Sequence, residues 1–256
     1  MEKNKAFFTF LAIAFIGFSA CKKQTVNAKQ TSLQDYIAEK SELAISDELI
    51  ACAAGIPEGF MGESQYPTSV FFYPVTGAHS FKYFEAKNIA DSLNYEKYVA
   101  KELPSIPVFN GYLHRFKNTA FQGERMGIVT YITSGKLHVC TAIRLKTNVK
   151  PTEVLPQNVT VTTDSIHPLF EWADGSITEN VIYFQVVSDS LNNLISGTYT
   201  YDKIWRFYDL SNVVLNIKDV QPAPVLMPNT NYKFTLMGVS EDNWVNIMAE
   251  VPFLTN

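Results

Sequence analysis

The chain has 256 residues, of which 46% are apolar and only 18% charged, a composition that excludes intrinsic disorder. Residues 32–151 balance twelve acids with twelve bases, whereas residues 152–256 carry twelve acids against four bases. No cluster of Lys and Arg able to neutralise a run of phosphates emerges, so nucleic acid is excluded as a partner.

Residues 1–20 read as a secretory signal. Lys3 and Lys5 precede an uncharged apolar run from Ala6 to Ala20 that ends in small residues. That run is shorter than the roughly twenty residues a bilayer span needs. The sequence Phe18-Ser19-Ala20-Cys21 resembles the lipobox of bacterial lipoproteins, in which the cysteine is acylated and becomes the mature N-terminus. Leu is usual where Phe18 stands. The resemblance implies lipidation at Cys21 and attachment to the membrane through acyl chains, which hold without a spanning helix when two or more are present. The alternative is a plain signal peptide and a soluble exported protein. Residues 21–31 are polar, lack apolar periodicity and are expected to act as a flexible tether. Surface-export signals of lipoproteins in the Bacteroidota resemble short acidic runs after the cysteine. Lys22 and Lys23 do not fit that pattern, so the expected location is the periplasmic side of the outer membrane, with the cell surface as the alternative.

Beyond the tether, Leu33, Tyr36 and Ile37 predict one short helix, and residues 89–103 a further turn or two. Runs rich in aromatic and β-branched residues follow, bounded by Gly, Pro, Asn or Ser, at Ser69–Tyr73, Ser80–Glu85, Gly111–Phe116, Gly127–Ile132 and Lys136–Cys140. Thr133-Ser134-Gly135 predicts a hairpin turn. Five to seven strands over residues 32–150 make an N-terminal β-sandwich the expected fold. Cys52 and Cys140 both sit in strand-like runs, in a compartment where disulfides persist. They are expected to pair, a closure the chain-entropy model places at roughly 4 to 5 kcal/mol; the alternative is two reduced, buried thiols.

Pro151 and Pro156 mark a boundary. Seven strands are predicted after it, at about 157–163, 166–172, 179–188, 195–201, 211–218, 230–239 and 244–254, making residues 151–256 a second, immunoglobulin-like sandwich. The segment Leu226-Met-Pro-Asn-Thr-Asn-Tyr232-Lys-Phe-Thr-Leu resembles the fibronectin type III signature leading into that fold's sixth strand. Pro156 before the first strand and Pro168-Leu-Phe-Glu-Trp172 fit the same pattern. The resemblance implies that Tyr232 forms a tyrosine corner, its hydroxyl bonded to backbone, and that Trp172 is buried at the end of the second strand. A fibronectin-like sandwich fixes a fold and not a function.

No nucleophile elbow, zinc-protease helix, phosphate loop or calcium loop occurs. The chain is therefore expected to be non-catalytic, with no cofactor and no metal site. His114 and His138 alternate with apolar residues and are expected to face away from the core. Asp189, Asn192 and Asn193 read as a polar turn in preference to a calcium site. The aromatic group around Tyr199, Tyr201 and Trp205 offers a candidate ligand-binding ledge, because residues two apart on a strand share a face. The competing reading places this group at a sheet edge or at the contact between the two sandwiches. The expected function is a binding or scaffold lipoprotein with an envelope protein as partner; the alternative is a glycan-binding lipoprotein of a polysaccharide-uptake system.

Overall fold

A computed structural model describes residues 30–56, 68–118, 123–218, 220 and 222–256. The signal, Cys21 and most of the tether lie outside the described residues. The elements begin with helix α1 (Leu33–Glu39), then β1 (Ala44–Leu49), β2 (Ala51–Gly55), β3 (Thr68–Phe72), β4 (His79–Ala86), β5 (Val99–Lys101), β6 (Ser105–Val108), β7 (Leu113–Asn118), β8 (Arg125–Thr133), β9 (Lys136–Cys140) and β10 (Ile143–Leu145). There follow β11 (Glu153–Val154), β12 (Val159–Thr162), β13 (Leu169–Trp172), β14 (Asn180–Asp189), β15 (Leu194–Thr200), β16 (Ile204–Arg206), β17 (Val213–Asn216), β18 (Asn231–Ser240) and β19 (Val245–Leu254). The fold is all-β.

These strands form four sheets. The outer N-terminal sheet runs β1-β9-β8-β4-β5, with β10 also on β8, and the inner N-terminal sheet runs β2-β3-β7-β6. The inner C-terminal sheet runs β11-β19-β18-β14-β15-β17, and the outer C-terminal sheet runs β12-β13-β16. Short turns set the local register. Ser134 and Gly135 both have positive φ, and Thr133 pairs with Lys136, so the β8–β9 hairpin has a two-residue turn with the left-handed backbone that matches strand twist.

The layers follow from the alternation of side chains along each strand. On β2, Ala51 and Ala53 join the core between the two N-terminal sheets, with Phe72 and Phe116. Cys52 and Ala54 point the other way, into an apolar layer shared with Phe184, Val186, Met237 and Met248 of the inner C-terminal sheet. That sheet in turn presents Tyr183, Phe234 and Leu236 to Phe170 and Trp172 of the outer C-terminal sheet; the Phe170 and Phe234 rings stack at 4.1 Å. Four sheets therefore stack in series, and both inner sheets are apolar on both faces. On the outermost N-terminal face, α1 starts at a capping box, with Ser32 Oγ accepting the Asp35 N–H at 3.0 Å. It lays Tyr36 against Phe84 with ring centres 5.7 Å apart.

The hairpin from β18 to β19 binds the two halves along one edge. Trp244, at its tip, is 0% exposed and lies within the N-terminal core, its indole N–H donating to the Lys150 carbonyl at 2.8 Å. The Ala53 N–H donates to the Asn243 carbonyl at 2.9 Å, and the Arg144 N–H to that of Asp242 at 3.0 Å. Thr152 Oγ1 accepts from the Gly55 N–H and donates to the Val245 carbonyl. Buried Lys146 pairs with Asp242 at 2.5 Å.

Several expectations of the sequence need correction. Cys52 and Cys140 are free thiols. Cys140 lies in the core between the N-terminal sheets, where its sulfur accepts the Val129 N–H at 3.1 Å, while Cys52 occupies the opposite face of β2. An intact sheet separates them, so the pair cannot close. His138 is buried and stacks on Tyr131 at 4.8 Å, and His114 lies against Phe81 at 4.9 Å. Both are packed because covered layers leave these strands no solvent face. The described part of residues 32–150 supplies ten strands, β1 and the short β5, β6 and β10 adding to the stronger runs.

Trp244→Ala should lower unfolding stability by about 3 to 5 kcal/mol, the usual cost of truncating a buried tryptophan. Because the side chain fills the core of the opposite half, denaturant unfolding of the wild type should follow one transition at two wavelengths, 222 nm ellipticity and tryptophan emission. The variant should shift the ellipticity midpoint for the whole β signal and not for part of it.

Asp242 adds a pH dependence. Burial raises its carboxyl pKa, but hydrogen bonds from Lys146 and Ser240 outweigh that and hold it below the ordinary value. A depressed folded pKa contributes stability above the unfolded value, near 3.9, and this is lost as pH falls through the folded one. Asp242→Asn should therefore cost about 1 to 3 kcal/mol at pH 7, and the gap to wild type in chemical denaturation should close progressively below about pH 4.

Candidate functional site

Two concavities open where the inner sheets meet. The first is an apolar cavity of about 260 Å³ walled by Cys52, Phe71 and Leu113 from one half and Phe184, Tyr199 and Met237 from the other. Among the described residues lining it none carries a charge. Phe184 and Tyr199 face each other across a 4.5 Å ring contact, because Phe184 on β14 is the register partner of Tyr199 on β15. Val214 and Leu215 of β17 also line the cavity while remaining 47% and 37% exposed, which places them at its rim. Burial pushes the Cys52 thiol up to about 12 and raises the Tyr199 hydroxyl above its ordinary value, with Cys52 and Tyr73 adding to the effect. At neutral pH the thiol is protonated and so is not a nucleophile.

The second concavity is polar, about 470 Å³, and lies between Asn110 and Arg115 of the N-terminal half and Asn192, Asn193, Lys233 and Glu250 of the C-terminal half. The β6–β7 turn shapes one wall. Phe109, Asn110 and Gly111 all have positive φ, a backbone path that turns Phe109 into the shared apolar layer. Lys233 is already engaged, by Glu250 at 2.9 Å and by Asn192 at 3.0 Å. The Asp189 turn beside it is closed on itself. Asp189 Oδ1 accepts the backbone N–H groups of Leu191 and Asn193, and Oδ2 the Asn193 amide. Burial of Asp189 is outweighed by these bonds, which lower its pKa.

The predicted aromatic ledge is not assembled. Tyr199 packs into the shared layer, Trp205 is 1% exposed within the C-terminal sandwich, and Tyr201 is 66% exposed. Strand β15 ends at Thr200 and residues 201–203 bend, so the same-face relation of Tyr199 and Tyr201 stops short of the second tyrosine. Trp205 belongs to β16, a strand on the other sheet, where its indole N–H donates to the Asp209 carbonyl at 3.1 Å.

Other reactive side chains are likewise committed. Buried Glu85 accepts from the Tyr83 hydroxyl at 2.9 Å and from the Asn118 amide, and pairs with Arg125 at 3.2 Å and Lys101 at 3.3 Å. Burial lowers the pKa of His114 and of His138, keeping both imidazoles neutral at pH 7. Among the described residues there is no group of three or more His, Cys, Asp or Glu placed to hold a metal ion.

The landmarks of the second sandwich lie where the fibronectin type III resemblance puts them. Tyr232 stands near the start of β18, and its hydroxyl accepts the Met227 N–H at 2.9 Å, closing a tyrosine corner. Trp172 ends β13 and is buried. The outer sheet β12-β13-β16 faces a sheet led by β19-β18-β14-β15. The chain is thus an all-β protein of stacked sandwiches. It is similar to a solved structure of the FN1-FN3 domains of chicken CNTN1, at 11% identity and TM-score 0.30, over 84% of this chain and 68% of that one. No family model and no curated protein matches the sequence.

Alkylation of the denatured, unreduced protein should modify both Cys52 and Cys140 completely, as mapped by peptide mass. The melting temperature should be the same with and without dithiothreitol; a fall on reduction would mean that the two sulfurs are joined.

Proposed function

We propose that this protein is a membrane-anchored, non-catalytic binding or scaffold lipoprotein of the bacterial cell envelope, held by acyl chains on Cys21 and facing the periplasm from the outer membrane. The observation that carries the binding role is the junction. Two halves share one buried layer and keep two concavities open along it, while the reactive groups around them are protonated, neutral or paired. A body of this kind is suited to holding a partner in fixed geometry, and the partner expected is another envelope protein. Tyr199, Tyr201 and Trp205 share no stacking face for a sugar ring, which removes the support for the glycan reading.

Replacing the acceptor cysteine tests the anchor. The wild type should sediment with membranes and carry acyl mass on its N-terminal peptide; Cys21→Ala should move to the soluble exported fraction with an unchanged melting temperature. Equal partitioning of the two forms would refute the anchor.

A further inference from the structure

We propose that the apolar cavity between the inner sheets is a binding site for a small, uncharged, mostly apolar molecule that carries a single hydrogen-bonding group. This deepens the binding role above and rests on it.

Protein interiors are close-packed, and empty apolar space costs stability in proportion to its volume. The void here, about 260 Å³, exceeds the ~150 Å³ apolar cavity that suffices to take up benzene. It falls somewhat below the ~300 Å³ at which sites for larger ligands begin. A fused bicyclic ring or a short branched alkyl chain matches that size. Chemistry narrows the class further. Without a charged residue in the wall, an ionic ligand would lose its hydration with nothing in exchange. Water that enters through the open rim finds few polar partners in the wall, so an apolar ligand displaces it at little cost.

Of the polar side chains in the lining, Asn243 spends its amide on Thr141 Oγ1 at 3.0 Å, which leaves the two tyrosine hydroxyls to weigh. The Tyr73 hydroxyl donates to the Ile217 carbonyl at 3.2 Å, whereas the Tyr199 hydroxyl has no hydrogen-bond partner among the described residues and stands in the electrostatic reach of Cys52 and Tyr73. It can donate to, or accept from, one polar atom of a ligand whose body lies against Phe184 and Met237. Entry is by way of Val214 and Leu215, the two exposed apolar side chains of the rim.

The test uses the full mature protein with 1-naphthol, a neutral bicycle with one hydroxyl, and 1-naphthalenesulfonate, its charged counterpart. Calorimetry should give saturable 1:1 binding of the naphthol. With methyl-labelled methionine, the Met237 resonance should shift on titration while that of exposed Met227 stays in place. The sulfonate should produce neither effect at the same concentrations. Cys52→Phe, which fills the space, should weaken naphthol binding at least tenfold while keeping a cooperative melt, and Tyr199→Phe should weaken it about threefold to tenfold. Absence of a Met237 shift up to the solubility limit of the naphthol would overturn the proposal. So would equal binding of the sulfonate, or undiminished binding by folded Cys52→Phe. If Cys52→Phe fails to fold, the Met237 shift in the wild type decides. The fractionation of Cys21→Ala does not involve the cavity, so failure here leaves the envelope reading standing and failure there leaves the cavity untouched.

Discussion

A β-sheet that is apolar on both faces cannot end a protein; it must be covered twice. Strand β2 carries this constraint in five residues, with Ala51 and Ala53 turned to one core and Cys52 and Ala54 to another. The small side chains matter because they let neighbouring sheets approach, and at this edge the gap is filled by Trp244 from the opposite half. Once both inner sheets are two-faced, the N-terminal and C-terminal halves lose their independence, since separating them would expose Phe71, Phe184 and Met237 to water. Burying each side chain of this size contributes roughly 1.5 to 3 kcal/mol. The linker prolines are consequently less a hinge than a corner, spanned by the bonds of Thr152 and by the Trp244 indole on Lys150.

The same layering sets the chemistry. Buried strands convert groups that would be reactive in water into inert ones: the Cys52 and Cys140 thiols are each pushed up to about 12 by burial, and the strand histidines stay neutral. Glu85 could be buried as a charge only because Arg125 and Lys101 meet it. What remains available is shape, in the form of one apolar concavity and one polar one on the same seam.

Much of the architecture was legible in the sequence because it depends on local signals. Thr133-Ser-Gly specified its hairpin, alternation specified most of the strands, and the spacing from Leu226 to Tyr232 specified a corner that the Met227 N–H completes. What was illegible depends on which face a residue takes and against what. Cys52 and Cys140 looked like partners because sequence spacing carries no record of an intervening sheet. Tyr199 and Tyr201 looked like one ledge because the strand end at Thr200 has no sharp marker. Trp244 and Met237 carry no local signal of their place, because nothing in the sequence distinguishes a core within one half from a core between two; the cavity, being made by both, left no motif at all.

The way the chain enters the fold has a mechanical meaning. Ser32 bridges Val99 at one margin of the outer N-terminal sheet, α1 crosses that sheet's face, and β1 runs parallel to β9 at the far margin. Tension applied ahead of Ser32 thus meets the short bridge and the helix first, and reaches the parallel strand only after both have peeled away. The first 20 or so described residues are a cover as well as an entry: lifting them would bare Leu33, Tyr36 and Leu49 together with the sheet face beneath.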